Sequence, residues 1–343
     1  MTRPDGEMPK TRRFVLARPF EGEPKESDFE IVEEELRPIK DGEILTEAVW
    51  LSVDPYMRVY MSRYPVGSTM IGLQIAKVIE TCHPNYKVGD HVVGFFGWQT
   101  FTITNLNKPA PPGHLKPYII PDFGDLPLSL ALGVLGRTGN SAYFGFLELC
   151  QPKLGETVVV SGAAGAVGSQ VGQIARIKGC KVIGFAGSDE KVKWLLDDLH
   201  FDAAYNYKTT DIQEALKEAA PQGIDCYFDN VGGSMSSTVI NHMNLFGRIS
   251  VCGAISAYND DVNQLPHAPI LQPAVVGKQL RMEGFSVSRW LDRWMEGILQ
   301  NLEWVKEGKV KYQETITEGF ENMPKAFISM LRGESVGKAI VRM

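Results

Sequence analysis

The chain has 343 residues, of which 44% are apolar and 22% charged, as in an ordinary globular protein. Its formal net charge of -6 argues against nucleic acid as a default partner, and no apolar run has the length of a membrane span. Five cysteines, with no C-x-x-C pair and each in or beside an apolar stretch, indicate buried, reduced thiols. We therefore expect a cytoplasmic protein, without a membrane partner, whose length favours two domains.

The first third of the chain predicts a β domain. The polar N-terminus, up to about residue 13, is expected to be frayed. Short β-type runs separated by turn residues follow at 14–17, 29–32, 44–51, 75–79 and 91–95. Runs of this length and spacing predict an antiparallel or barrel-like β domain. A proline-rich loop at 107–121 leads into a helical region at 126–150, with a predicted break over 136–140.

A glycine-rich turn lies near the middle of the chain. Four β-favouring residues, Thr157–Val160, run directly into Ala163–Gly168, and apolar residues at helical spacing follow. A strand, an A-x-G-x-x-G turn and a helix are the context in which this fingerprint predicts dinucleotide binding. Gly165 lets a pyrophosphate approach the backbone, and Gly168 lets the helix pack closely on the strand. A plain strand-to-helix turn is the alternative.

Alternating strands and helices continue from the glycine turn to about residue 307. Predicted strands at 181–186, 203–206, 224–229, 248–252 and 280–287 alternate with predicted helices at 189–199, 211–219, 234–243 and 291–307. This alternation predicts a doubly wound parallel sheet. The tail has β-type ends around a helix and resembles the first domain. We therefore expect a first domain over 1–135, a nucleotide-binding domain over 136–308, and a return to the first domain over 309–343.

The second predicted strand of the sheet points to NADP rather than NAD. Sites for NAD usually carry a carboxylate about 20 residues after the last fingerprint glycine. Here the strand ends in Ala186-Gly187-Ser188, and Lys191 follows closely. Tyr207, after the third strand, offers a phenol to the same ligand group. The small residues at the strand tip leave room for a 2′-phosphate, no carboxylate there would repel it, and Lys191 would supply the opposite charge. A solvated lysine on the helix surface is the plainer interpretation of Lys191.

These residues resemble the zinc-independent medium-chain dehydrogenase/reductase family, in its alkenal double-bond reductase group. The resemblance covers almost the whole chain. Its stretches are VDPYMR (53–58), AAGAVGS (163–169), IKGCKVIG (177–184), GSDEKV (187–192), NYK (206–208), DCYFDNVGG (225–233), FGRISVCGAIS (246–256) and EGFENMPKAF (318–327). It implies a GroES-like β-barrel-type catalytic domain split around a Rossmann NADP-binding domain, assembled as a homodimer.

The resemblance also implies the reaction. These enzymes use NADPH to reduce the carbon–carbon double bond of α,β-unsaturated ketones and aldehydes, such as 15-oxo-prostaglandins and 4-hydroxynonenal-like alkenals. Oxidation of the 12-hydroxyl of leukotriene B4 is a further implied activity. The substrate partner is thus a small lipid enone. A quinone reductase of the same superfamily and a non-catalytic NADPH-binding protein are the alternatives.

The same resemblance implies which residues contact NADP(H). They are Gly165, Ala166, Val167, Gly168, Lys191, Tyr207, Asn230, Cys252, Gly253, Ala254, Ile255, Ser256, Tyr258, Phe285, Ser286, Val287 and Ser335. Ser335 departs from the pattern, because relatives have an asparagine there. No metal is expected: zinc relatives carry Gly-His-Glu where this chain reads Gly72-Leu73-Gln74.

Two tyrosines are the candidates for catalysis. Hydride transfer to an enone places developing charge on an enolate oxygen, and a hydroxyl donor aimed at that oxygen would stabilise it. Tyr258 lies just past the C-terminal end of a predicted Rossmann strand, where ligands of open α/β sheets bind. Tyr56 could face the nicotinamide from the other domain. A tyrosine filling a loop and a tyrosine packed on the barrel are the respective alternatives.

Overall fold

The computed structural model describes residues 10–261, 264–265 and 267–343. The chain divides into two compact units. Unit 1 comprises the residues up to Leu132 together with Thr315–Glu334 and Ala339–Met343, and unit 2 comprises Gly133–Glu314 and Ser335–Lys338. No helix within the described residues is both long and apolar enough to cross a bilayer.

Strands and short helices alternate along the chain. The strands are β1 (Lys10–Leu16), β2 (Phe29–Glu35), β3 (Glu43–Ser52), β4 (Gln74–Thr81), β5 (His91–Gly94), β6 (Phe101–Asn105), β7 (Tyr118–Ile119), β8 (Thr157–Val160), β9 (Lys181–Ala186), β10 (Ala203–Asn206), β11 (Ile224–Asp229), β12 (Met243–Val251), β13 (Arg281–Gly284), β14 (Glu314–Glu318) and β15 (Lys338–Arg342). The α-helices are α1 (Tyr56–Tyr60), α2 (Arg137–Leu147), α3 (Gly168–Ile177), α4 (Asp189–Asp197), α5 (Ile212–Ala219), α6 (Gly233–Asn241), α7 (Gln272–Gly277), α8 (Trp294–Lys306) and α9 (Met323–Leu331).

Unit 1 is built on an antiparallel sheet of order β14-β15-β3-β4-β5-β7, with β6 also pairing β3. The C-terminal strand β15 runs antiparallel to β3, so the tail completes a sheet begun near the N-terminus. A core of apolar side chains surrounds the fully buried Trp98 and Phe327, whose rings meet edge to face. The expectation of a frayed start was wrong from Lys10 onward, because β1 pairs along its whole length with β2; the first nine residues lie outside the described part.

Unit 2 carries a six-stranded parallel sheet of order β10-β9-β8-β11-β12-β13. Counted from β8, this is the 3-2-1-4-5-6 order of a dinucleotide-binding doubly wound fold. The central strands are buried on both faces, as their runs of Val, Ile and Phe require. The predicted fold class is therefore confirmed.

Two predicted local features of unit 2 were wrong. The predicted break over 136–140 is misplaced, because the helical region is interrupted over 133–136 and α2 already begins at Arg137. Gly139 lies inside α2, and a Cβ on it would lie 1.9 Å from the Val134 carbonyl oxygen. The glycine that suggested a break instead permits tight packing. Strand β13 ends at Gly284, and the residues after Ser286 form a 3-10 helix rather than more strand.

Candidate cofactor and active site

The predicted cofactor residues of unit 2 follow the carboxyl ends of its parallel strands. The glycine turn follows β8, Lys191 lies in the helix after β9, Tyr207 follows β10, and Asn230 follows β11. The segment that ends in Tyr258 follows β12. Because parallel strands end at one edge of a sheet, one edge gathers the candidate residues; Ser335 reaches unit 2 from the tail.

The glycine turn has the geometry that a pyrophosphate cradle needs. A Cβ on Gly168 would lie 2.4 Å from the Gly162 carbonyl oxygen, so only glycine lets α3 start this close to β8. A Cβ on Gly165 would meet only that same oxygen, at 3.3 Å, which leaves the other side of the turn open. The N–H of Ser169 donates to the Gly165 carbonyl oxygen, and those of Gln170 and Val171 donate to the Val167 carbonyl oxygen, so the attraction for an anion at the start of α3 comes from the helix dipole.

The tail segment Ser335–Lys338 lies against the glycine turn. Gly337 donates its N–H to the Ala164 carbonyl oxygen at 2.9 Å and forms a parallel bridge with Gly165. Gly337 has φ +64, and a Cβ there would lie 2.0 Å from the Gln313 carbonyl oxygen, so the position needs glycine. Ser335, two residues earlier, is therefore held close to the turn, although its contact with a cofactor stays a prediction.

The residues that would bind a 2′-phosphate, Lys191, Tyr207 and Lys208, follow the ends of β9 and β10. Ser188 caps α4 by accepting a hydrogen bond from the N–H of Lys191. The Tyr207 hydroxyl lies 3.1 Å from where a Cβ on Gly187 would be, and the Lys208 side chain lies 3.5 Å from the same point. Burial lowers the pKa of Lys191, and the charge of Lys208 lowers it further. Two ammonium groups close enough to repel each other are a site that a phosphate would stabilise.

Asp189, at the start of α4, is already engaged. Asp189 Oδ1 accepts a hydrogen bond from Asn206 Nδ2 at 2.7 Å, at the N-terminal end of α4, where the helix dipole also favours a carboxylate. Asn206 Oδ1 accepts the Lys208 N–H at 3.1 Å, which fixes the chain after β10. The arrangement suits a 2′-phosphate better than a bare ribose.

The turn after β11 is organised by a buried carboxylate. Asp229 is 2% exposed and accepts hydrogen bonds from the hydroxyls of Ser161, Tyr227 and Ser236. Asn230 donates its Nδ2 to the Ser161 carbonyl oxygen at 2.7 Å, so this predicted cofactor residue is fixed against the residue before the glycine turn.

The segment after β12 folds back on itself. Tyr258 ends a short 3-10 helix, Ile255–Ala257, and its hydroxyl accepts the Ala254 N–H at 3.2 Å. Burial raises the pKa of the Cys252 thiol to about 12, and the charge of Asp229 adds to the shift. At neutral pH Cys252 is therefore a thiol, and it offers no thiolate that could add to an enone.

The strand predicted at the cofactor edge was expected to include Phe285–Val287. This prediction was wrong, because β13 ends at Gly284. The Phe285 ring packs against Phe228 and Trp290, and it touches the space in which Gly145 would need a Cβ. Val287 is buried and begins the 3-10 helix. Phe285 and Val287 thus pack within unit 2, and Ser286 between them is exposed.

Unit 1 holds the remaining predicted residues. Tyr56 begins α1, is partly buried on the unit 1 core, and has its ring 5.7 Å from that of Tyr60. Gln74, in the place where zinc relatives have the glutamate of Gly-His-Glu, is buried and donates to the carbonyl oxygens of Gly97 and Gln99. Within the described ranges, no three His, Cys, Asp or Glu side chains are grouped as metal ligands.

The structure adds two residues that the sequence interpretation missed, Lys208 and Asp229. A cation directly after Tyr207 was a visible signal for the first. The second was a carboxylate at the end of a buried strand, which is costly unless donors surround it. Among the cysteines, Cys82 is exposed, contrary to expectation, because it lies just past the end of β4; all five are free thiols.

Two family models match the chain. One, described as the N-terminal domain of oxidoreductase, matches residues 12–110. The other, described as zinc-binding dehydrogenase, matches residues 166–304. The two matches fall largely within unit 1 and unit 2 respectively.

Individual relatives match over nearly their whole length. Prostaglandin reductase 1 of Bos taurus is 50% identical, over 98% of this chain and 100% of the relative. A 2-alkenal reductase (NADP(+)-dependent) of Nicotiana tabacum is 39% identical, over 96% of each. The crystal structure of CurA in complex with NADPH from Vibrio vulnificus superposes with a TM-score of 0.88 at 37% identity, covering 97% of this chain and 99% of CurA.

Proposed function

Because the chain belongs to the medium-chain dehydrogenase/reductase family, we propose that it uses NADPH to reduce the carbon–carbon double bond of α,β-unsaturated ketones and aldehydes. The observation that carries the proposal is the gathering at one sheet edge of a glycine turn, two lysines with a tyrosine, and the segment bearing Tyr258. The relatives named as a prostaglandin reductase and an NADP-dependent alkenal reductase support the same reaction class.

Each part of the cofactor has a counterpart in unit 2. The turn from Gly165 to Gly168 and the start of α3 hold the pyrophosphate. Lys191, Tyr207 and Lys208 hold the 2′-phosphate. Asn230 and the residues from Cys252 to Ser256 line the nicotinamide half. The space at Gly165 and the approach of the Tyr207 hydroxyl and the Lys208 side chain to Gly187 are the observations that fit this ligand.

When bound, NADPH supplies the hydride, which adds to the β-carbon of the enone. The electron pair of the carbon–carbon double bond then becomes that of the enolate, whose oxygen carries the new negative charge. Tyr258 stabilises that oxygen by donating its hydroxyl hydrogen, since a phenol that accepts one hydrogen bond can still donate another. A proton from water then adds at the α-carbon and gives the saturated carbonyl product.

The substrate class follows from the reaction and from the relatives' names. Enones and enals derived from fatty acids, such as 15-oxo-prostaglandins and 4-hydroxynonenal, are the substrates we propose. Tyr56 is a second candidate for contact with the substrate or nicotinamide. Oxidation of an allylic alcohol such as the 12-hydroxyl of leukotriene B4 is the reverse type of hydride transfer, in which NADP⁺ accepts the hydride.

An assay of NADPH consumption with three substrates tests the proposal. Purified protein is given a 15-oxo-prostaglandin, 4-hydroxynonenal or a quinone, and the products are identified by mass spectrometry. Saturated ketone or aldehyde is the expected product. Turnover of the quinone alone would favour a quinone reductase, and tight NADPH binding without turnover would favour a binding protein; either result contradicts the proposal.

A homodimer in the cytoplasm is the assembly and location that we propose. The edge strand β13 and the start of its neighbour β12 expose apolar side chains, since Leu245 is 57%, Phe246 59% and Met282 43% exposed. Such a patch on an unpaired sheet edge favours a second copy of the chain as its partner. Free cysteines suit a reducing compartment. Light scattering would test the dimer, and a monomeric mass would contradict it.

A further inference from the structure

We infer that Asp229 is a positioning residue, whose buried carboxylate fixes the nicotinamide-side segment relative to the glycine turn. The inference rests on the proposed function, because it concerns how unit 2 orients the cofactor for hydride transfer. Asp229 ends β11, between the strands that carry the glycine turn and Tyr258. It has no assigned contact with substrate or cofactor.

Hydrogen-bond donors surround the carboxylate. Its Oδ1 accepts from the Ser161 hydroxyl at 3.1 Å and the Tyr227 hydroxyl at 2.9 Å. The same oxygen accepts the backbone N–H groups of Val231 at 3.0 Å and Gly232 at 2.9 Å, and Oδ2 accepts the Ser236 hydroxyl. A buried carboxylate without such donors would be strongly unfavourable, so the surrounding turn is held in the shape that presents them.

One of these donors ties the carboxylate to the glycine turn. Ser161 donates to Asp229 and accepts the Asn230 N–H at 3.0 Å, while its carbonyl oxygen accepts from Asn230 Nδ2. Gly162 begins the glycine-rich loop directly after Ser161. The side chain of Asp229 thus fixes Asn230 and the start of the phosphate-binding turn through one serine.

The main chain of the same turn holds the segment after β12. The Asp229 carbonyl oxygen accepts the N–H groups of Cys252 at 2.8 Å and Gly253 at 3.2 Å. The Asn230 carbonyl oxygen accepts the Ile255 N–H at 3.2 Å. The Val231 carbonyl oxygen accepts both the N–H and, at 2.6 Å, the hydroxyl of Ser256.

Displacing this turn would therefore displace Tyr258 and the nicotinamide-side residues together. The site after β9 and β10 uses none of these bonds. The arrangement predicts a separation of effects: loss of the Asp229 charge disturbs the nicotinamide half and leaves 2′-phosphate binding intact.

The test compares Asp229→Asn with Asp225→Asn. Asp225 lies in the same strand and accepts the Thr157 N–H and Asn244 Nδ2, both at 2.8 Å, but it stands at the opposite end of the strand. We expect Asp229→Asn to lower kcat for enone reduction by about 10- to 100-fold, since small misplacements cost this much. We expect Asp225→Asn to lower the melting temperature and leave kcat unchanged. Both variants should bind adenosine 2′-monophosphate, which carries only the 2′-phosphate, as the parent does.

Ser161→Ala keeps the test decisive if Asp229→Asn does not fold. It removes the hydroxyl link with little change in volume, and we expect a lower kcat with unchanged affinity for adenosine 2′-monophosphate. Unchanged kcat in the folded variants, or an equal loss of kcat in Asp225→Asn, would overturn the inference. Failure of the parent protein to turn over enones would instead contradict the proposed function.

Discussion

Lys191 gives the most direct test of coenzyme choice. It lies in the first turn of α4, partly buried, and burial together with the charge of Lys208 lowers its pKa. A 2′-phosphate would make a charge-assisted hydrogen bond to this ammonium, and such bonds contribute about 1.5–3 kcal/mol. We therefore expect Lys191→Ala to weaken NADPH binding by about 10- to 100-fold and to leave NADH binding unchanged.

The assay measures dissociation constants for NADPH and NADH by fluorescence titration, and kcat/KM with each coenzyme. Lys193→Ala is the matched control, because this lysine lies in the same helix, is 77% exposed in its side chain and pairs with Asp197. It should change neither constant. An equal loss for NADPH and NADH in Lys191→Ala, or the same effect in Lys193→Ala, would refute the assignment.

The pH dependence of binding follows from the same residue. Free Lys191 loses its proton at a lower pH than an ordinary lysine, whereas a bound phosphate would hold the proton on it. NADPH binding should therefore weaken as the pH rises past the lowered pKa, with proton uptake on binding. Lys191→Ala should abolish this dependence, and NADH should not show it; a parallel dependence for both coenzymes would contradict the argument.

Three further predictions concern turnover and stability. Tyr258→Phe should lower kcat by about 100-fold with little change in NADPH affinity, since it removes the proposed donor to the enolate; unchanged turnover would exclude that role. Gly168→Ala should lower the free energy of unfolding by about 1–3 kcal/mol, because the added Cβ would lie 2.4 Å from the Gly162 carbonyl oxygen; parental stability in urea would contradict this. The hydrogen bond from Arg37 holds the pKa of Glu43 at about 2 against the opposing effect of burial. A lowered folded-state pKa contributes stability above the ordinary pKa that is lost as pH falls toward about 2, so Glu43→Gln should flatten the acid unfolding curve there; an unchanged curve would contradict it.

The sheet of unit 2 was the easiest part to predict from sequence. Its strands β8 to β11 have the predicted bounds, because a strand buried on both faces is a continuous apolar run between turn residues. The capping role of Ser188 was also visible, since the cap depends on local backbone groups.

Features that depend on distant contacts were not predictable. The local pattern made Gly139 look like a helix breaker, because its close approach to Asn301 of α8, whose Nδ2 would lie 2.9 Å from an added Cβ, is invisible there. Strands β6 and β7 were missed: the first is short and partly polar, and the second is two residues long beside a proline-rich loop.

The candidate site also has some residues that local sequence patterns reveal and others that only the folded structure reveals. The glycine turn, Lys191 and Tyr207 follow recognisable local patterns. The role inferred for Asp229 depends on the order of β8, β11 and β12, which brings three loops to one carboxylate. That order is a property of the folded sheet.

The central claim, hydride transfer to a carbon–carbon double bond, is tested most directly by isotope tracing. The protein is incubated with an enone and NADPH that carries deuterium at its hydride-donating carbon, and the product is analysed by NMR and mass spectrometry. We predict a saturated ketone with one deuterium on the β-carbon. Deuterium on the carbonyl carbon of an alcohol, or a product without deuterium, would contradict the account.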